Sequence, residues 1–214
     1  MPLIYIEDIF FEPTMMKDLE LYSFENQETP TYLSPSFRGS CSSVNKYKKL
    51  NRVGEGTYGI VYRANERDSP NEDIVALKRI RMQHDNEGFP ISALREISLL
   101  KKLKHENIVA LKEVVVADGL ENIFMVMEYA EQDMAYLMDN VMSKNKAHQY
   151  STSHVKCLMI QLLKGVEYLH SRFVIHRDLK LSNILLISRG ILKIADFGLA
   201  RTFPKNKLQL YHQR

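Results

Sequence analysis

The sequence predicts an α+β protein in two parts, a strand-rich half carrying one helix and a helical half of which only the first portion follows. Three observations carry this reading. Glycine-punctuated, β-branched runs fill most of residues 46–130. A single stretch of helical period interrupts them near Ile91. A long apolar stripe of helical spacing then opens at Thr152.

The elements follow in order. Residues 1–45 hold seven acids against Lys17 and Arg38, a net of −5, together with Pro13, Pro30 and Pro35. Without sustained periodicity they read as a disordered acidic leader, with one short helix near 14–22. Order is expected from "YKKLNRVGEGTYGIVYRANE", a glycine-rich hairpin, and "DIVALKRIRM" supplies a third strand. "PISALREISLLKKLKH" spaces Ile91, Leu94, Ile97, Leu100 and Leu103 as one helix face, with Pro90 and Ser92 at its start. "IVALKEVVVADGLENIFMVMEYA" adds two strands joined at Asp118-Gly119, which makes five. The later helix carries Val155, Leu158, Met159, Leu162, Val166 and Leu169 on one stripe. Short strands "NILLI" and "ILKIA" meet at a turn of Ser188, Arg189 and Gly190. No internal repeat is present.

Composition narrows the class. Of 214 residues, 45% are hydrophobic and 26% charged, a balance that builds a folded core. The net charge of +3 conceals an acidic leader and a body of +8, which suits phosphate-bearing ligands and nucleic acid alike. Cys41 and Cys157 are too few for a disulfide framework or a zinc site, which favours a reducing, intracellular compartment. The first residues lack a basic n-region and carry Glu7, Asp8 and Glu12, unlike a signal peptide. No run reaches the roughly 20 apolar residues that span a bilayer.

The chemistry-bearing residues fall into three groups. Gly54, Gly56 and Gly59 let backbone N–H groups approach phosphate oxygens. Extended "IVYRA" follows them, which favours a hairpin laid over a nucleotide above a dinucleotide fold, where a helix would follow. Lys78, nineteen residues beyond Gly59, ends an apolar strand, and Glu96 lies on the helix. A strand lysine held by a helix carboxylate aims a fixed charge at α- and β-phosphates. In "HRDLKLSN", Asp178 can accept a hydroxyl proton, Lys180 can neutralise a transferring phosphoryl group, and Asn183 offers an amide oxygen. Thirteen residues on, the "DFG" carboxylate of Asp196 suits Mg²⁺. Phosphoryl transfer needs such positioned charge more than covalent chemistry.

Together GxGxxGxV, VALK, the helix glutamate, HRDLKxxN and DFG resemble the protein kinase signature set across residues 47–201. "PISALRE" resembles the PSTAIRE-like heptad of cyclin-dependent kinases in its PISSLRE variant, with Ala93 in place of the second serine. The resemblance implies a kinase-like bilobal fold: an N-lobe over 46–130 and a partial C-lobe over 131–201. It implies ATP and Mg²⁺ as cofactors. Gly54, Gly56 and Gly59 would cover the phosphates, while Val61 and Ala76 line the adenine pocket. Met127 would be the gatekeeper, the backbone of Glu128 and Ala130 would hold the adenine edge, Asp133 would face the ribose, and Leu185 would floor the pocket. Lys78 and Glu96 would pair, Asp178 would act as base beside Lys180, and Asn183 and Asp196 would hold the metal. Thr57 and Tyr58 match positions of inhibitory phosphorylation in relatives.

The resemblance further implies a serine/threonine kinase whose partners are a cyclin, docked on Pro90–Glu96, and protein substrates, with no nucleic acid or membrane, in the nucleus or cytoplasm. It stops after Arg201. Residues 202–214 read as an unrelated tail and the chain as truncated after the DFG segment, so that impaired catalysis is expected. The alternative is a non-catalytic protein that binds cyclin in competition with a complete kinase.

Overall fold

The computed structural model describes residues 42–56, 59–67, 69, 73–81, 89–117, 122–142 and 150–203. The short helix expected near 14–22, the turn at Asp118-Gly119, Thr57 and Tyr58, and residues 204–214 lie outside these.

The five expected strands are present as β2 (Tyr47–Gly56), β3 (Gly59–Glu66), β4 (Ile74–Ile80), β5 (Leu111–Val116) and β6 (Ile123–Glu128). A two-residue strand, β1 (Ser42–Ser43), lies parallel to β5 and extends the sheet to six, in the order β1-β5-β6-β4-β3-β2. Residues 42–45, read from sequence as leader, thus belong to the ordered half. A small polar cluster seats them: Tyr47 donates its hydroxyl to Glu113, and Lys46 pairs with both Glu113 and Glu66.

Alternation along β4 and β6 builds two cores from one sheet. Val75, Leu77, Phe124 and Val126 face outward onto Val44 and Tyr47. Ala76, Ile80, Met125 and Met127 face inward onto the helix α1 (Ile91–Lys102). There Ile97 is fully buried with Leu100, each such side chain contributing about 1.5–3 kcal/mol by leaving water. Helix α1 starts at Pro90 as the sequence indicates, without a side-chain cap.

The second half begins with β7 (Gln132–Asp133), the short helix α2 (Met134–Tyr136) and a wider turn of helix over Leu137–Met142. Helix α3 (Thr152–Ser171) follows, closed at its start by a reciprocal Ser151–His154 cap. Strands β8 (Val174–Ile175), β9 (Ile184–Ile187), β10 (Ile191–Ile194) and β11 (Arg201–Thr202) complete it. They form a β10-β9-β7 sheet and a β11-β8 pair. Helix α3 rests directly on β10. A Cβ added at Gly165 would come 2.9 Å from Ile194 Cδ1 and 3.2 Å from the Asn107 carbonyl oxygen.

One amide fixes this contact. The side-chain oxygen of Gln161 accepts from Leu192 N–H at 2.9 Å and from Asn107 Nδ2 at 3.2 Å, while its nitrogen donates to the Gly190 carbonyl at 3.0 Å. Asn107, itself buried, also donates to the Leu192 carbonyl, and its own carbonyl accepts from Ile194 N–H. The segment between α1 and β5 is thereby tied to β10. Among the described residues no helix is long and apolar enough to cross a membrane.

Candidate functional site

The site lies where β10 ends and the sheet of the first half turns its inner face. Lys78, on β4 opposite Met125 and Val61, sends its ammonium to Glu96 of α1. Nζ lies 2.7 and 2.8 Å from the two carboxylate oxygens, a bidentate pairing with both residues buried. The same ammonium stands 3.7 Å from Asp196 Oδ1. A cation shared this way is oriented by one carboxylate and faces the other.

Asp196 follows β10 with φ +65°, a left-handed conformation that a non-glycine residue holds only at some energetic cost. Its Oδ1 is buried without a hydrogen bond. The next residue, Phe197, is fully buried and sets its ring edge-on to His176 at 4.8 Å. His176 Nε2 bonds the Ala195 carbonyl at 2.9 Å, and Nδ1 accepts from Asp178 N–H at 3.3 Å. Burial pushes the His176 imidazole below its usual range, so it stays neutral near pH 7. The neighbouring Arg177 also has positive φ, +69°.

Asp178 is held from two sides. Lys180 Nζ lies 2.9 Å from Oδ2, and Asn183 Nδ2 donates to the same oxygen at 3.0 Å and to the Asp178 carbonyl at 2.8 Å. The bond from Lys180, with that from Asn183, holds the Asp178 carboxyl below the ordinary carboxylate range. Asn183 is buried, and Ala195 N–H donates to its carbonyl. Its amide nitrogen is committed to Asp178, which leaves the amide oxygen as its atom for a cation.

A family model described as Protein kinase domain matches residues 47–213. The chain belongs to the protein kinase family. The match continues beyond Arg201, where the resemblance of the motifs ends. Among similar proteins, cyclin-dependent kinase 10 of Rattus norvegicus is 53% identical over 82% of this chain and 48% of its own length. The Homo sapiens protein of that name is 55% identical over 77% of this chain and 44% of its own. Cyclin-dependent kinase G-2 of Oryza sativa subsp. japonica is 49% identical over 85% and 25%. The chain thus spans about half, or less, of the length of the curated relatives it matches.

This kinase chain brings together Lys78 with Glu96 and Asp196, and Asp178 with Lys180 and Asn183. Ala76 and Met127 are register partners on β4 and β6, and Leu185 on β9 pairs with Asp133 on β7. Asp133 spends Oδ1 on Tyr136 N–H, capping α2. Gly54, Gly56, Gly59 and Val61 form the end of the β2–β3 hairpin. Gly59 is obligatory for the fold itself, since a Cβ there would fall 1.9 Å from the Arg79 carbonyl. At Gly54 a Cβ would meet nothing within 4 Å, so the protein alone does not demand glycine there.

The family implies a divalent cation. Among the described residues no three His, Cys, Asp or Glu side chains gather to cage one. Asp196, with its buried oxygen lacking a hydrogen bond, and Asn183 fit a hard cation that takes its other ligands from phosphate and water. Sequence reading passed over three residues here. His176 and Phe197 lock the two motifs to each other, and their position inside those motifs was the available signal. Lys193 was the third; a lysine within the apolar run "ILKIA" marks a buried cation.

Proposed function

We propose that the chain is an ATP-dependent serine/threonine protein kinase of the cyclin-dependent type, transferring the γ-phosphate to protein hydroxyls with Mg²⁺. The observation that carries it is the formed Lys78–Glu96 pair facing Asp196. Lys78 would hold the α- and β-phosphates, with Gly54, Gly56 and Gly59 over them and Val61, Ala76, Met127 and Leu185 about the adenine. The backbone of Glu128 and Ala130 would take the adenine edge, and Asp133 the ribose. Asp178, kept ionised by Lys180, would accept the hydroxyl proton, while Lys180 offsets charge on the moving phosphoryl group. Asn183 and Asp196 would hold Mg²⁺, which when bound neutralises phosphate charge.

The regulatory partner in this reading is a cyclin on Pro90–Glu96. Ile91 at its start is 72% exposed while Glu96 is buried toward Lys78, so one helix couples an outer surface to the ion pair. Thr57 and Tyr58 are the phosphorylation sites of this reading, and the compartment is the nucleus or cytoplasm. The same exposed Ile91 supports a second reading, a non-catalytic cyclin-binding protein.

The test is a thermal melt of the full chain with ATP, with and without Mg²⁺, followed by a phosphate-transfer assay. A melt raised by Mg-ATP in the wild type and not in Asp196→Asn, with transfer lost in Asp178→Asn, is expected. Cyclin binding without any transfer selects the second reading.

A further inference from the structure

The proposed chemistry uses neither Lys193 nor the carboxylate of Glu128, yet the two meet. Lys193 lies in β10 between the buried Leu192 and Ile194 and is itself buried. Its Nζ stands 2.9 Å from Glu128 Oε2, a pairing of charges across 65 residues of sequence. Glu128 closes β6 of the six-stranded sheet, opposite Val75, with its N–H donated to the Ala110 carbonyl. Lys193 belongs to the other sheet, opposite Leu185 and three residues before Asp196. The pair therefore crosses from one sheet to the other. At one end is the backbone assigned to the adenine edge, at the other the strand that delivers the metal carboxylate.

Lys193 is buried but the Glu128 side chain is 29% exposed, and an ion pair in such a place is a poor source of stability, because solvent screens its open side and apolar residues of the same volume would serve its buried side as well or better. What charge adds is one preferred separation between two segments. We infer that Glu128–Lys193 is a positioning strut that holds the adenine-side backbone and Asp196 at the separation a metal-bound nucleotide requires. This rests on the nucleotide reading above. Lys193 touches no substrate in it and acts through Asp196.

The readout is the ratio of ATP affinities with and without Mg²⁺, measured on the full chain, together with adenosine affinity. Lys193→Met keeps the stem of the side chain and removes its charge. It is expected to retain adenosine affinity within about twofold. Its Mg²⁺-dependent gain should fall about tenfold, the lower range for loss of a group that orients a metal ligand. Glu128→Gln should lower the same ratio. The exchange Glu128→Lys with Lys193→Glu should recover it to within about threefold, since a cycle of this kind isolates the coupling. An unchanged Mg²⁺ gain in Lys193→Met overturns the strut. So does a loss that the exchange leaves unrepaired, for then the lysine acts through packing. If the wild type shows no Mg²⁺ gain and matches Asp196→Asn, the nucleotide reading itself fails and takes the strut with it.

Discussion

Two helices of similar sequence texture have opposite surroundings. In α1, five of twelve residues are buried, Ala93, Glu96, Ile97, Leu99 and Leu100, beneath the sheet. In α3, twice buried at Gly165 and Leu169 over twenty residues, Val155, Met159, Ile160 and Leu163 are 46–60% exposed. Apolar periodicity declares that a helix has a face; only its neighbours decide how much of that face is covered. The residues of the proposed site follow the same division. Glu96 comes from the covered helix, whereas α3 supplies none of the proposed site and acts as a support beneath β10.

Substitutions can break or sharpen this contrast. The largest difference is expected between Ile97→Ala and Leu163→Ala. The first opens a cavity in the closed core and should lower unfolding free energy by about 2–5 kcal/mol. The second should stay within about 0.5 kcal/mol. Denaturant midpoints of the two variants settle it, and equal losses would show that the exposed face of α3 is engaged. Next comes Gly165→Ala, the point where α3 does touch β10. With Ile194 Cδ1 at 2.9 Å and a backbone oxygen at 3.2 Å, overpacking should cost about 1–3 kcal/mol despite the gain in helix propensity. A stabilised variant would mean that helix and strand part easily.

The smallest effect is a pH dependence at the junction of the motifs. Burial lowers the His176 pKa below its free value of 6.5, so the unfolded chain takes up the proton first. The stability this neutral ring contributes is whole above about pH 6.5. It declines as pH falls from there toward the folded pKa. Melting temperatures between pH 7.5 and 5.5 should therefore fall with acid, and less steeply in His176→Asn. The reverse slope would show that the folded state favours the imidazolium.

The strands and α1 were legible because glycine punctuation, alternation and a proline-led helix start are local signals. The pairing of Lys78 with Glu96 was legible for another reason, a recognised order of motifs. The parallel β1 was not, since two serines carry no pattern and their place is decided by Tyr47, Lys46 and Glu113 further along. Asp178 as proton acceptor and Asn183 as a source of an amide oxygen were legible in the motif, but not that Asn183 spends its nitrogen on Asp178 twice. The Glu128–Lys193 contact was illegible because it depends on how two sheets meet, 65 residues apart.

The amide of Gln161 has a last consequence. It answers Leu192, Gly190 and Asn107 at once, and a shift of α3 by one residue would rotate it about 100° away, taking this partner from the Leu192 N–H and the Gly190 carbonyl and leaving Asn107 Nδ2 with the Leu192 carbonyl alone. Apolar contacts along the helix tolerate such slippage, because one leucine slides past another with little penalty. Gln161 thus works as a keyway. It contributes modestly to how firmly the helix is held, and decisively to which of several neighbouring seats it occupies.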